Sequence, residues 1–289
     1  MIDLTNFDEN TLFIIGNGFD LAHGIKSSYW DFRNWLIGHN YWDDVMNLEK
    51  LFPISDGNVN LLWKEFEEAL GQYDPERIHR EFFQGVDNGL FRKDVQERVV
   101  ERISPFIKKV PSYMKEWAEN MEGIYTNTKV FDGLKLEYKY LTFNYTLVLE
   151  NLYFIPKFNV LHIHGSIQDE KIIVGHDNKR DPYREYDDNS NREMSKRNIV
   201  ELMNINYKPV NDLIRNNQQF FNSLLPVKRI IVVGHSLSKV DIPYFREIAN
   251  RVSYDCVWHF CWHTSDDEVV IKELIARLFY KFTCRMHKI

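Results

Sequence analysis

The chain has 289 residues, 44% of them apolar and 15% aromatic, which excludes a disordered or low-complexity protein and allows a sizeable buried core. Its net charge of −6 gives no overall attraction to nucleic acid or to anionic lipid, so we expect neither as a partner. No apolar run approaches the roughly 20 residues of a membrane span, residues 1–10 lack the basic stretch of a secretory signal, and the three cysteines indicate no disulfide framework. We therefore expect a cytoplasmic protein.

The predicted strands are short apolar runs that end in turn-forming or polar residues. The first is Thr11–Ile15, which stops at Gly16 and should lead into a helix. Five further runs share this character: residues 136–143, 159–163, 171–175, 229–234 and 254–262. Several end in Gly, Asn or His, the residues that the carboxyl edge of an open α/β sheet presents to its ligand. We predict an α/β fold with a Rossmann-like parallel sheet.

About 120 residues separate the first two predicted strands, many more than one crossover helix needs, and their pattern is helical. We therefore predict a nucleotide-binding core of residues 1–38 and 129–289, interrupted by a helical subdomain of residues 39–128. Residues 176–225 should be a loop and helical elaboration of the core.

Within the predicted subdomain, residues 61–70 have amphipathic helical spacing, with Glu67 and Glu68 on the polar side as solvated charges. A second helical stretch over residues 95–121 should break near its two prolines. Residues 176–198 have almost no aliphatic side chains, so we expect a mobile loop or lid there, and helical spacing resumes at residues 204–225.

The first candidate site is Gly16-Asn17-Gly18-Phe19-Asp20, which follows a predicted strand. Paired glycines at such a turn let the backbone approach a phosphate, whose charge the next helix stabilises. Leu21 stands where the dinucleotide fingerprint has its third glycine. An ordinary strand-to-helix turn is the alternative.

Asn144 and His164 each follow the end of a predicted strand. The Asn144 amide could hydrogen-bond a ribose hydroxyl or a water, or simply cap the next helix. His164 precedes Gly165 and could act as a general base, although a structural role is equally compatible with the pattern. His162 points to the other side of its strand and should be a core histidine with satisfied hydrogen bonds.

A third turn, Gly234-His235-Ser236, is followed by Asp241 and could hold the adenosine end of a nucleotide, or be only a strand-to-loop turn. It is no nucleophile elbow, because Ser238 stands where that motif needs glycine. His259, Cys261 and His263 share one strand face, but their spacing matches no common zinc site, and we expect no metal.

In this order, the segments GNGFDLAHGIKSSYWDF, LTFNYT, HIHGS and VVGHSLSKVD resemble the AbiH family of bacterial phage-abortive-infection proteins. The helical segment around Trp63 also resembles the family's W-x-x-F-E pattern. More distantly, the chain is similar to sirtuin-like NAD-consuming domains. The ordered set spans nearly the whole length and is much more specific than any one of its members.

The resemblance implies a Rossmann-type NAD site interrupted by helices, with residue roles that follow from the matching motifs. Asn144 would position the ribose or the water, and His164 would be the general base. The other implied nucleotide-binding positions are Gly16, Asn17, Gly18, Asp20, Tyr29, Gly165, Gly234, Ser236 and Asp241.

Three departures from the sirtuin-like pattern affect these expectations. Thr146 replaces the aspartate of the T-x-N-x-D motif, which puts the contact to the nicotinamide amide in doubt. Asn17 replaces a small residue of the glycine loop and would crowd a phosphate. The paired C-x-x-C zinc module of the deacylases is missing, which favours hydrolysis over deacylation.

The leading hypothesis is an antiphage effector, an NAD glycohydrolase that cleaves the nicotinamide–ribose bond with NAD as substrate and without a metal. The alternative is a non-catalytic sensor that binds NAD or ADP-ribose in phage defence. The sequence also leaves open activation by a phage-derived trigger, binding to a host partner and assembly into a homo-oligomer.

Overall fold

The computed structural model describes residues 10–51, 59–83, 93–124, 129–188 and 190–289. Residues 52–58, 84–92 and 125–128 of the predicted subdomain, and residues 1–9 of the segment expected to lack a secretory signal, lie outside the described residues. The chain forms two compact units. The first consists of Met1–Ser28, Lys115–Ile172 and Pro209–Ile289, and the second of Tyr29–Met114 and Ile173–Lys208. The domain boundaries at residues 38/39 and 128/129 are not tested by these units and stay predictions.

The strands of the first unit are Thr11–Ile15 (β1), Lys139–Thr142 (β2), Val160–His162 (β3), Arg229–Val233 (β4), Val257–Trp262 (β5) and Thr283–Lys288 (β6). They form one parallel sheet in the order β3-β2-β1-β4-β5-β6. This is the strand order of the doubly wound Rossmann fold, so the predicted α/β class is confirmed.

Helices flank this sheet and make up most of the second unit. In chain order they are Asn17–Ala22 (α1), Tyr29–Gly38 (α2), Trp42–Leu51 (α3), Val59–Lys64 (α4), Phe66–Leu70 (α5), Pro75–Phe83 (α6), Lys93–Met121 (α7), Val148–Asn151 (α8), Pro182–Glu185 (α9), Asn191–Met203 (α10), Val210–Asn216 (α11), Gln218–Asn222 (α12), Ile242–Arg251 (α13) and Ser265–Leu278 (α14). None of the helices in the described part of the chain has the length and apolarity needed to span a membrane.

The centre of the sheet is its apolar core. Every residue of β1 is buried, as expected for a strand covered on both faces. Phe13 stacks on Tyr138 and Tyr140 at centroid distances of 5.7 and 5.5 Å, and its backbone pairs in register with Tyr140 on one side and Ile231 on the other. This rigid centre fixes where the ends of β1, β2 and β4 lie.

One predicted strand is absent from the structure, and one observed strand was not predicted. Residues 171–175 form no strand. Gly175 has a φ of +149°, and a Cβ there would lie 1.8 Å from the backbone oxygen of Asn206, so this segment is an irregular chain packed against another backbone. β6 was not predicted, because its sequence, Thr-Cys-Arg-Met-His-Lys, has the mixed polarity of an exposed edge strand.

The helical predictions need three corrections. The amphipathic stretch at residues 61–70 is two helices, α4 and α5, separated at Glu65. α7 does not break at Pro105 or Pro111. The buried side chains Phe106, Ile107, Val110 and Met114 support the continuous helix around the prolines, because packing outweighs the lost backbone hydrogen bonds.

Part of the predicted loop at residues 176–198 is helical. The Asp181 side chain caps α9 by accepting hydrogen bonds from the backbone of Tyr183 and Arg184, and Ser190 caps α10. These caps stabilise helices in a segment with few aliphatic residues. Whether the segment moves as a lid stays a prediction.

Glu67 is not a simply solvated charge. Its Oε2 lies 2.8 Å from Nζ of Lys208, whose side chain is fully buried, and its Oε1 accepts a hydrogen bond from the backbone of Gly175. The second unit therefore contains a buried ion pair that links α5 to the end of the 173–208 segment.

Candidate functional site

The candidate site lies at the carboxyl edge of the sheet in the first unit. The strand order reverses between β1 and β4, and in open α/β sheets ligands bind outside the carboxyl ends of the strands at this switch point. The turns after β1, β2, β3 and β4 all reach this edge. These turns and the helical segments that directly follow them carry every predicted site residue except Tyr29, and Asn17, Gly18 and Asp20 lie in α1. Tyr29 begins α2 in the second unit, where its ring packs on Phe66.

The turns after β1 and β4 pack backbone against backbone. The amide of Gly16 donates to the Val233 oxygen at 3.0 Å, and that of Gly18 donates to the Gly234 oxygen at 2.7 Å. A Cβ on Gly18 would lie 2.7 Å from the Gly234 Cα, and one on Gly234, whose φ is +64°, would lie 2.4 Å from the Phe19 nitrogen. These glycines are needed for the contact between two turns.

The predicted phosphate contacts of Gly16, Asn17 and Gly18 stay a prediction. The Gly16 and Gly18 amides are already hydrogen-bonded within the protein. Asn17 is exposed, so its side chain does not fill the turn.

Three buried polar side chains, Asp20, Asn144 and Thr146, form what we call the Asp20 cluster. The Asn144 amide nitrogen donates to Asp20 Oδ1 at 2.9 Å and to the Gly16 oxygen at 3.2 Å. The Thr146 hydroxyl donates to Asp20 Oδ2 at 2.7 Å. Both oxygens of this carboxylate therefore have a donor.

Burial raises the pKa of Asp20 from its ordinary value of 3.8 to about 7. The hydrogen bonds from Thr146 and Asn144 lower this pKa, the charge of Glu122 raises it, and that of His162 lowers it. A carboxyl group with a pKa near neutrality can hold or release a proton under working conditions, as functional-site groups often do.

His162 supports this cluster from β3. Its Nδ1 shares a hydrogen bond of 2.9 Å with the backbone oxygen of Asn144, and its Nε2 lies 2.9 Å from Glu150 Oε1. Both ring nitrogens have partners, as predicted, but His162 is half-buried beside the Asp20 cluster and not a core residue.

A second group, which we call the His164 cluster, consists of His164, His235, Asp241, Tyr244 and Phe143. His164 Nε2 lies 3.2 Å from the Tyr244 hydroxyl and 3.9 Å from Asp241 Oδ1. His235 Nε2 lies 3.7 Å from Asp241 Oδ2. The Phe143 ring meets His164 and His235 at centroid distances of 5.3 and 4.3 Å. Two imidazoles beside a carboxylate and a phenol can take up and pass on protons.

The two clusters meet at neighbouring residues of one turn. Phe143 directs its ring into the His164 cluster, whereas Asn144 directs its amide into the Asp20 cluster. The two predicted catalytic side chains therefore have different partners: Asp20 and Gly16 for Asn144, and Tyr244 for His164.

The comparison with family models gives one match, to bacteriophage abortive infection AbiH, over residues 12–262. The matched segment covers most of the chain and contains both clusters. The chain belongs to the AbiH family. The comparisons with curated proteins and with solved structures gave no match.

The remaining predicted positions of this AbiH protein lie around the two clusters. Asp241 is buried in the His164 cluster, and Gly165, with a φ of +81°, closes the turn after β3 by donating to the His162 oxygen at 3.0 Å. Gly234 forms the turn after β4, and Ser236 is exposed on it. Their roles toward a nucleotide stay predictions.

The sequence alone did not indicate Phe143, His235 or Tyr244 as site residues. Phe143 and His235 lie inside two of the family motifs, so the motifs already contained that signal. Tyr244 lies three residues after Asp241, in the first turn of α13. The first turn of a helix that follows a strand lies close to the carboxyl edge of the sheet, and this position could have indicated Tyr244 as a site residue.

The residues that the structure describes hold no group of three or more side chains suited to a metal ion. His259 instead shares a hydrogen bond of 3.0 Å with His287 of β6. Cys256, Cys261 and Cys284 are free thiols.

Proposed function

We propose that this AbiH-family protein is an antiphage effector that hydrolyses the nicotinamide–ribose bond of NAD. The observation that supports it best is that two buried polar pairs, Asp20 with Asn144 and His164 with Asp241, lie on segments that follow strands at the carboxyl edge of a Rossmann-type sheet. The family's link to abortive infection is compatible with such an activity, because loss of NAD stops the growth of an infected cell.

The reaction breaks the bond between C1′ of the ribose and the pyridinium nitrogen. Nicotinamide leaves as a neutral molecule and takes the bonding electron pair, while positive charge develops on the ribose. Water then adds to C1′ and loses a proton, which gives ADP-ribose. A shaped pocket with fixed dipoles and little bulk water stabilises such a charge-separated state.

The two clusters would divide this work. Asn144, held by Asp20 and Gly16, would orient the ribose or the attacking water. His164, next to the Tyr244 hydroxyl and Asp241, would accept the proton that the water loses. The Asp20 carboxylate also lies beside Thr146, the position at which the sirtuin-like motif carries its own aspartate.

The test is nicotinamide release from NAD by the purified protein, with and without a lysate of phage-infected cells. We expect Asn144→Ala and His164→Ala to lower turnover by about 100-fold or more, the usual effect of losing a positioned acid–base group. Asn250→Ala and His263→Ala change the same residue types at exposed positions and should keep wild-type turnover. No release under either condition, or full turnover in both site variants, contradicts the proposal.

A second candidate is a sensor that binds NAD or ADP-ribose without cleaving it. Thr146 in place of the motif aspartate and the internally bonded Gly16 and Gly18 amides favour this alternative. Calorimetry with NAD, followed by product analysis after several hours in the presence of the infected lysate, distinguishes the two. Tight binding with intact NAD supports the sensor, and product formation supports the hydrolase.

A further inference from the structure

The orientation of the Asn144 amide is fixed by its neighbours. A primary amide has two N–H donors and one acceptor oxygen. Here the nitrogen lies 2.9 Å from Asp20 Oδ1 and 3.2 Å from the Gly16 oxygen. A backbone oxygen can only accept, so the nitrogen must face this side, and both donors are occupied. The Asn144 oxygen, which makes no hydrogen bond with the described residues, is the group left for a ligand.

Thr146 fixes the Asp20 carboxylate, which in turn fixes the Asn144 amide. Its hydroxyl donates to Asp20 Oδ2 at 2.7 Å, so the carboxylate is held at both oxygens. All three side chains are at most 8% exposed, which keeps water from replacing these bonds. The backbone of Asn144 is fixed separately, by His162 and by the Thr142 hydroxyl.

We propose that Asp20 and Thr146 are positioning residues that keep the oxygen of the Asn144 amide, and not its nitrogen, turned toward the ligand. Asn144 then acts as a hydrogen-bond acceptor. It selects ligands that present a hydroxyl donor at this point, such as a ribose or a bound water, over ligands that present an anionic oxygen. This inference rests on the proposed function for the identity of the ligand.

The arrangement requires an ionised Asp20. A protonated carboxyl group has one donor of its own, so it cannot accept from Asn144 and Thr146 in the same geometry. The other charged groups that face Asp20 are Glu122, which raises its pKa, and His162, which lowers it. Both stay in place when Thr146 is changed, so a change at Thr146 isolates the contribution of its hydroxyl.

The test compares the pH dependence of kcat/KM for NAD in wild type, Thr146→Val, Thr146→Ser and Asp20→Asn. In Thr146→Val, the carboxylate loses a donor, its pKa rises, and the acid limb of the profile should move up by at least about half a pH unit. Thr146→Ser keeps the hydroxyl and should keep the wild-type limb. Asp20→Asn has no carboxyl group to ionise, so its profile should lack the limb.

A second measurement needs no activity. Urea unfolding at pH 5 and pH 9 should show a larger loss of stability for Thr146→Val at pH 9, where Asp20 is ionised, and an equal loss at both pH values for Thr146→Ser. If wild type releases no nicotinamide, the proposed function fails, and the unfolding comparison still decides whether Thr146 holds an ionised Asp20. A Thr146→Val profile that overlays wild type, with equal losses at both pH values, overturns the inference.

Discussion

The Thr146 hydroxyl donates a 2.7 Å hydrogen bond to the buried carboxylate of Asp20. Thr146 lies two residues after Asn144, whose amide donates to the other oxygen of the same carboxylate. Asp20 belongs to α1, which follows β1. The hydrogen bond therefore joins two residues 126 positions apart and links the segment after β1 to the segment after β2.

The pH dependence of stability should report the raised pKa of Asp20. The folded protein binds a proton at Asp20 up to about pH 7, whereas the unfolded chain releases it near 3.8. The stabilisation is therefore complete below pH 3.8 and is lost as the pH rises through 7. The free energy of unfolding of wild type minus that of Asp20→Asn should fall by on the order of 4 kcal/mol between pH 4 and pH 8.

Denaturant titrations at a series of pH values check this prediction. Asp212→Asn, an exposed aspartate in the same unit, is the control and should give a nearly constant difference. A constant difference for Asp20→Asn as well contradicts a raised pKa.

Gly234 should tolerate no side chain. Its φ is +64°, and an added Cβ would lie 2.4 Å from the Phe19 nitrogen. Gly234→Ala therefore combines backbone strain with a clash between two turns, and we expect a loss of about 3 kcal/mol or more. Gly123→Ala has a similar φ of +78° with nothing within 4 Å, so it should cost only about 1 kcal/mol. Equal losses, measured by urea unfolding, contradict the close packing of the turns.

The buried ion pair of the second unit should be sensitive to the loss of one partner. Glu67→Gln removes the carboxylate charge that lies 2.8 Å from the fully buried Lys208 ammonium, and we expect a loss of about 3 kcal/mol. Arg192→Met removes one member of the exposed pair with Glu76 and should leave the unfolding free energy nearly unchanged. Denaturant titration that finds similar effects for both variants contradicts the prediction.

The His259–His287 pair should make the protein sensitive to acid. Burial lowers the pKa of His259 to about 4, with further lowering from the charges of His287, Arg229 and Arg285. Below its ordinary value of 6.5 the unfolded chain takes up a proton that folded His259 does not, so stability falls as the pH drops from 6.5 toward 4. His259→Gln should flatten this fall, and exposed His263→Gln should not. Thermal melts at pH 4.5 and 7.5 measure the difference.

The parts of the fold that follow from local chemistry were predictable. β1 was predicted with its observed bounds, because four consecutive apolar residues that follow Thr11 and end at glycine have few alternatives in a buried sheet. β2 and β3 are shorter than predicted, since their flanking residues lie in turns. The parallel sheet followed from several such runs separated by helical segments.

The failures are places where tertiary contacts decide. Pro105 and Pro111 lie inside an unbroken helix because apolar packing supports it. The sequence predicted Gly175 as the end of a strand, but the close approach of the Asn206 backbone makes that segment irregular. The positions of Asn144 and His164 after strand ends could be predicted from the sequence. Their partners Asp20 and Tyr244 could not, because α1 and α13 approach those strand ends only in the folded chain.

The most direct test of antiphage NAD hydrolysis is the NAD content of phage-infected bacteria that carry wild type, His164→Ala or His263→Ala. We expect NAD to fall, nicotinamide and ADP-ribose to rise, and phage yield to drop in cells with wild type and with His263→Ala. Cells with His164→Ala should keep their NAD and release phage normally. Protection from phage by wild type with an unchanged NAD pool would contradict the proposed activity.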